Sequence, residues 1–252
     1  MNLILEVGLN HFGKVQESIK YLEFFLRSNF THITYQIQKE SYYEKFKFKL
    51  PISHYIFLIN KIHKKGKKIG LAVADINSCY EIVKLNFDFY KILSVSLNDK
   101  LLIDFINKRK KPIFLSCGTA SNSEIQKCLN NFKTEDKKRI TLIHTSLSYE
   151  AKDQNLKRLE LLYKMFPSIA YGHHYHNFLP IILSLYSKIK FIFIYVKALE
   201  KKGRYHPDEK HAFTFKKTED LREVINESIK ILGSENKRNG TIKTINDKKI
   251  SF

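Results

Sequence analysis

Short runs of β-branched and aromatic residues alternate along the chain with longer segments whose apolar positions recur every three or four residues. The runs are Leu3 to Leu9, His32 to Gln38, Ile69 to Ala74, Phe89 to Val95, Pro112 to Cys117, Ile140 to Thr145, Ile169 to His173 and Phe191 to Lys197. Helical patterns fall between and after them, at Val15 to Arg27, Ile52 to His63, Leu101 to Lys108, Ser123 to Phe132, Leu156 to Met165, Pro180 to Tyr186 and Thr218 to Leu232. Several runs, such as Ile140 to Ile143 and Phe191 to Val196, are apolar at nearly every position, which is how strands covered on both faces read. Repeated strand–helix alternation over 252 residues predicts an α/β fold, a closed (β/α)8 TIM barrel of parallel strands, a fold of about 250 residues. An open doubly wound sheet is the alternative; it usually needs fewer repeats and often has a glycine-rich first turn, and neither GxGxxG nor GxxxxGK[ST] occurs.

The pattern divides the chain into a barrel over 1–233 and a polar tail over 234–252. Lys39 to Lys49, alternating aromatic and charged residues, predicts a hairpin or loop over the barrel mouth. An apolar fraction of 43%, with 19 Phe and 14 Tyr, is enough for a sizeable core and excludes a disordered tail protein. Cys79, Cys117 and Cys128 stand singly, without CxxC spacing, which argues against a disulfide framework and a thiolate zinc site and for a cytoplasmic location. No signal peptide is read at the N-terminus, and the most apolar later stretch, Leu179 to Leu199, is broken by Lys188, Lys190 and Lys197, so no membrane span is expected. The net charge of +19 invites a nucleic-acid reading, but the basic residues are mostly lysines scattered in short pairs, which argues against one phosphate-binding face. Such a field would still favour an anionic substrate.

In a barrel of this kind, chemistry belongs at the carboxyl ends of the strands. Polar residues recur there: Glu6 in the first run with Asn10 and His11 after it, Gln36 in the second, Asp75 after the third, Lys91 and Ser94 in the fourth, Ser116 and Gly118 at the fifth, His144 to Tyr149 at the sixth, and His173, His174 and His176 at the seventh. Glu6 is the sharpest, because an unpaired carboxylate inside an apolar strand costs several kcal/mol and sites collect such residues. Adjacent histidines on a strand point to opposite faces, so at most one of His173 and His174 enters the mouth.

These residues resemble the sialic acid synthases, which join phosphoenolpyruvate to an N-acylated amino sugar. Glu6-Val-Gly-Leu-Asn-His-Phe-Gly13 is similar to the family's Glu-Ile-Gly-x-Asn-His-Asn-Gly, with Phe12 in place of the second Asn. Lys91-Ile-Leu-Ser94 resembles Lys-Ile-x-Ser, Lys111 to Gly118 resembles Lys-Pro-Ile-x-Leu-Ser-Thr-Gly, and His144 to Tyr149 with Asn155-Leu156 resembles His-Cys-Thr-Ser-Ser-Tyr and its downstream Asn-Leu. The resemblance implies an aldol-type condensation that makes a sialic-acid-like, nonulosonic acid for surface glycans, with phosphoenolpyruvate and an amino sugar as partners. It implies that Lys91, Ser94 and Ser116 hold phosphoenolpyruvate, that Glu6 is the acid/base or sugar-orienting carboxylate, and that Asn10, Gln36, Tyr149 and Asn155 line the pocket. A homodimer is implied too.

Several positions depart from the family. Thr34 stands where the family has a lysine, and Ser96 where it has an acidic residue. On the eighth run the family's Glu-x-His, which supplies a ligand to a divalent metal (manganese or magnesium), aligns with Tyr195-Val-Lys197, and a protonated lysine cannot ligate. The other imidazole is His174 or, one register away, His173. Lys197 could polarise a carbonyl in the metal's place or fill its space; His173, His176, His206 or His211 could instead rebuild a metal site. The family's C-terminal antifreeze-like domain, which supplies an arginine to the sugar site of the other subunit, has no counterpart in this sequence. A relative that binds a sugar phosphate or a protein without catalysis is therefore the second expectation.

Overall fold

The computed structural model describes residues 1–198 and 206–233; the polar tail expected over 234–252 lies outside the described residues. Eight strands form the barrel: β1 (Asn2–Gly8), β2 (His32–Ile37), β3 (Lys68–Val73), β4 (Phe89–Ile92), β5 (Ile113–Ser116), β6 (Ile140–Thr145), β7 (Ile169–His173) and β8 (Phe191–Lys197). Each pairs in parallel with the next, and β1 closes on β8 from Asn2 opposite Phe191 to Glu6 opposite Tyr195. The helices are α1 (Val15–Arg27), α2 (Glu40–Lys45), α3 (Ile52–His63), α4 (Ile76–Cys79), α5 (Lys100–Asn107), α6 (Asn122–Asn130), α7 (Thr134–Lys137), α8 (Arg158–Met165), α9 (Leu179–Ser184) and α10 (Phe215–Leu232). The chain is thus a (β/α)8 barrel, as its alternation predicts.

Alternation along each strand separates two cores. Outward residues such as Leu5, Ile33, Leu71, Ile113, Leu142 and Ile192 join the helices in the larger one. Inward residues Ile4, Phe89, Phe114, Ile143, Ala170 and Phe193 fill the lower barrel. The Phe114 ring packs edge-to-face against Phe89 at 5.5 Å and Phe193 at 5.0 Å between centroids. Gly70 makes room for this packing, since a Cβ there would lie 2.1 Å from the Phe89 ring.

Three local features differ from expectation. The segment from Lys39 to Lys49 holds the helix α2, where Tyr42 and Phe46, four apart, stack at 4.8 Å instead of alternating across a hairpin. The fourth run ends as a strand at Ile92, and Ser94–Ser96 turn in a 3-10 helix at the mouth. A two-residue strand, β9 (Phe213–Thr214), pairs in parallel with the end of β8 and so ties the segment after residue 205 to the barrel rim. Among the described residues no helix is long and apolar enough to cross a membrane.

Candidate active site

One turn of the pleat above the phenylalanine layer, the same strands present polar residues inward. Glu6 lies above Ile4, Lys91 above Phe89, Ser116 above Phe114, Thr145 above Ile143 and Tyr195 above Phe193, and His174 follows the end of β7. They meet in a cup at the carboxyl ends of the strands, a cleft of about 560 Å³ whose lining includes Gln36, Lys91, Ser94, Ser116, Tyr149 and His174.

At its floor Lys91 donates to Glu6 Oε1 at 2.5 Å. Both side chains are almost fully buried, 5% and 2% exposed. The other carboxylate oxygen, Oε2, has no protein partner. Burial raises the Glu6 pKa, and the Lys91 ammonium only partly offsets it. Lys91 also lies 4.9 Å from the centre of the Phe193 ring, so the lower core seats the cation from beneath. The Tyr195 hydroxyl donates to Gln36 Oε1 at 3.3 Å.

Asp208, from the segment after β8, also lines the cleft, although it belongs to no strand-end motif. Its carboxyl is pushed up to about 7, first by burial and then by the negative charge of Glu6, against a hydrogen bond from the Leu9 backbone and the attraction of Lys91. Gly8 (φ +57°) makes its place, because a Cβ there would lie only 2.4 Å from Asp208 Oδ2. The signal for it in the sequence is the density of ionisable residues in His206-Pro-Asp-Glu-Lys-His211, separated by eight residues from the last strand run.

His211 follows it into the cup. Its ring centroid lies 4.5 Å from that of His174, 4.7 Å from Tyr195 and 5.8 Å from Tyr149. Burial, with Lys91 nearby, brings the His211 pKa down to about 4. Burial also holds His174 well below the usual imidazole range, assisted by His211 and Lys91. Both rings are neutral near pH 7, the state in which imidazole ligates a metal. Both His211 nitrogens are buried without a hydrogen-bond partner. Among the described residues no three His, Cys, Asp or Glu side chains form a ready metal cage; the residues present offer two imidazoles with Asp208 beside them, a fit for an ion whose other ligands are exogenous.

Four residues expected in the pocket sit elsewhere. Asn10 is committed to the backbone, donating to Val196 O at 2.8 Å and accepting from Asp208 N at 3.1 Å. Asn155 (φ +45°) faces a neighbouring cavity of about 480 Å³ lined also by Gly118, His144 and Arg158. His173 points outward, its ring centroid 5.2 Å from Phe213, as the alternation between it and His174 requires. Lys197 is held by the Glu209 carboxylate and does not line the cleft. The departing Thr34 and Ser96 are likewise occupied, with hydroxyls donating to the backbone carbonyls of Tyr35 and Ala74.

The NeuB family model matches residues 11–237, and the chain belongs to that family. A pseudaminic acid synthase of Helicobacter pylori is 30% identical over 161 residues, covering 61% of this chain and 46% of that protein. The chain spans about half the length of the curated relatives it matches. Among solved structures, an N-acetylneuraminic acid synthetase from Leptospira borgpetersenii serovar Hardjo-bovis, in complex with citrate, aligns with a TM-score of 0.84 at 20% identity, over 95% of this chain and 87% of that one. The spore coat polysaccharide biosynthesis protein spsE of Bacillus subtilis aligns at 0.78 with 18% identity, over 92% and 68%. At such identities these two structures speak for the barrel fold.

Proposed function

We propose that this protein condenses phosphoenolpyruvate with the open-chain aldehyde of an N-acylated amino sugar to give a nonulosonic acid destined for surface glycans. The observation that carries the reading is the buried Glu6–Lys91 pair at the floor of a cup ringed by Ser94, Ser116 and His174. In the reaction a bond forms between the methylene carbon of phosphoenolpyruvate and the aldehyde carbon. Water adds to the former enol carbon, and the tetrahedral centre so formed expels inorganic phosphate with its bridging oxygen. The water oxygen remains as the product's keto oxygen, and the aldehyde oxygen takes up a proton to become a hydroxyl. Lys91 sets a cation against the substrate's phosphate and carboxylate, and Ser94 and Ser116 donate hydrogen bonds to the same oxygens. Glu6, with its raised pKa, and Asp208, near 7, are suited to move protons to the nascent alkoxide and from the attacking water. A divalent metal, manganese or magnesium, held at His174 would supply Lewis-acid polarisation of the aldehyde. The reading places the protein in the cytoplasm and includes a homodimer, which native mass spectrometry tests.

Phosphate release from phosphoenolpyruvate, measured across a panel of N-acylated amino sugars with and without manganese, tests the function. Sugar-dependent release is expected. A second reading, a barrel that binds without catalysis, is favoured by one observation: Lys197, at the position of a family metal ligand, is engaged by Glu209. Bound phosphoenolpyruvate with no release for any sugar would establish that second reading and overturn the first.

A further inference from the structure

The geometry points to a divalent-cation site whose second imidazole comes from the segment after β8 instead of from β8 itself. His174 and His211 are its protein ligands, and Lys197 is a positioning residue that pins the segment carrying His211. What the cation does rests on the condensation proposed above; that it binds does not.

On β8, Lys197 falls where the resemblance implies an imidazole, yet its ammonium bonds the Glu209 carboxylate and lies 3.5 Å from the Glu209 carbonyl oxygen. Glu209 Oε2 accepts in turn from the backbone N–H of His206 at 3.1 Å and lies 3.2 Å from His206 Nδ1. One residue earlier, the Asp208 N–H donates to Asn10 Oδ1, while Asn10 Nδ2 donates to Val196 O, so the segment is also tied to the rims of β1 and β8. The N–H groups of His211 and Ala212 close a turn on the Asp208 carbonyl at 3.2 and 2.9 Å. These fastenings hold the backbone that carries the His211 ring against the barrel rim.

What they hold in place is an imidazole with two unfilled nitrogens, a costly group to bury for packing alone. A cation between the rings would fill one nitrogen. Two imidazoles at adjacent corners of an octahedral ion, each nitrogen at about 2.1 Å, have ring centres about 4.6 Å apart, and those of His174 and His211 are 4.5 Å apart. Asp208 Oδ1 lies 3.9 Å from His211 Nε2. The glycine at position 8 keeps the space that this carboxylate enters. A lysine in place of the strand ligand therefore does not remove the cation site; it anchors the residue that replaces it.

The test is a manganese titration of the full chain, followed by the electron paramagnetic resonance signal of the free ion, with hydrogen exchange measured over residues 206–214. Wild type is expected to bind one ion. His211→Ala and His174→Ala should each weaken binding at least about 10-fold, and His211→Asn serves if the alanine variant does not fold. Lys197→Met should weaken binding comparably and speed exchange over 206–214, while Lys197→Arg, which keeps the ion pair, should retain both. Manganese binding unchanged in folded His211→Ala or His211→Asn, or no binding by wild type at millimolar manganese, overturns the inference. Loss of phosphate release with manganese binding intact would instead count against the condensation and leave the cation site standing.

Discussion

The lower and upper halves of the barrel interior are built by the same strands, one pleat apart, and they solve opposite problems. Ile4, Phe89, Phe114, Ile143 and Phe193 close the lower half with apolar side chains that need no partner. Glu6, Lys91, Ser116, Thr145 and Tyr195, each two residues further on, carry polar groups that must find one. They find only part of what they need: Glu6 Oε2 and both nitrogens of His211 remain unmatched. The lower half gives the fold its stability, and it forms a dry floor on which Lys91 and Glu6 interact far more strongly than they would in water. A substrate would supply the groups the upper half lacks.

The largest separation of the two halves is expected from Lys91→Met. Phosphate release should fall more than about 1,000-fold if, as proposed, this cation faces the substrate's charge. Removing one partner of a buried pair also costs stability, about 3–5 kcal/mol where the carboxylate stays ionised. The folded-state pKa of Glu6 is already above its ordinary value and rises further without Lys91. Glu6 protonation then favours the folded state, so the deficit is small near pH 4, grows as pH rises through the folded-state pKa and is greatest at pH 8. Chemical denaturation at pH 5 and 8 checks the sign. Glu6→Gln with Lys91→Met should recover the stability and not the activity.

Phe114→Ala probes the lower half alone. It should cost about 3–5 kcal/mol of stability by opening a cavity, while phosphate release per folded molecule stays within about 3-fold; thermal unfolding and a titration of folded protein read the two. A smaller pair of effects comes from the two glycines that accommodate a neighbour. Gly70→Ala drives a Cβ into the Phe89 ring and should cost about 1–3 kcal/mol with little change in manganese binding. Gly8→Ala combines the strain of φ +57° with a clash against Asp208, so it should weaken manganese binding as well as stability.

An effect confined to acid conditions is expected from His11, whose ring stacks on Tyr35. Burial brings its pKa down to about 3, so it is neutral when folded and charges when unfolded. Its contribution is present above about pH 6.5 and is lost as pH falls toward 3. His11→Gln should flatten one proton's share of the acid limb of a stability–pH profile.

The lower half was legible in the sequence because it repeats one rule: consecutive apolar residues in eight runs, with helical patterns between. Glu6, Lys91 and Ser116 were legible because they interrupt that rule at strand ends, and the alternation between His173 and His174 left one ring facing in. Asp208 and His211 were harder to read, since their positions depend on an ion pair with Lys197, a turn on the Asp208 carbonyl and space at Gly8, none of which leaves a periodic trace. Asn10 and Asn155 were misplaced for a related reason: a polar residue after a strand can face the mouth or tie down the backbone, and sequence spacing does not distinguish the two.

The central claim, that the upper half recognises the charged end of phosphoenolpyruvate, is tested most directly by calorimetric titration of that ligand into wild type, Lys91→Met and Ser116→Ala. The account predicts binding by wild type, loss of at least about 100-fold in affinity for Lys91→Met, equivalent to about 2.7 kcal/mol, and a smaller loss for Ser116→Ala. Equal affinity in folded wild type and Lys91→Met, or no binding by wild type, would contradict it.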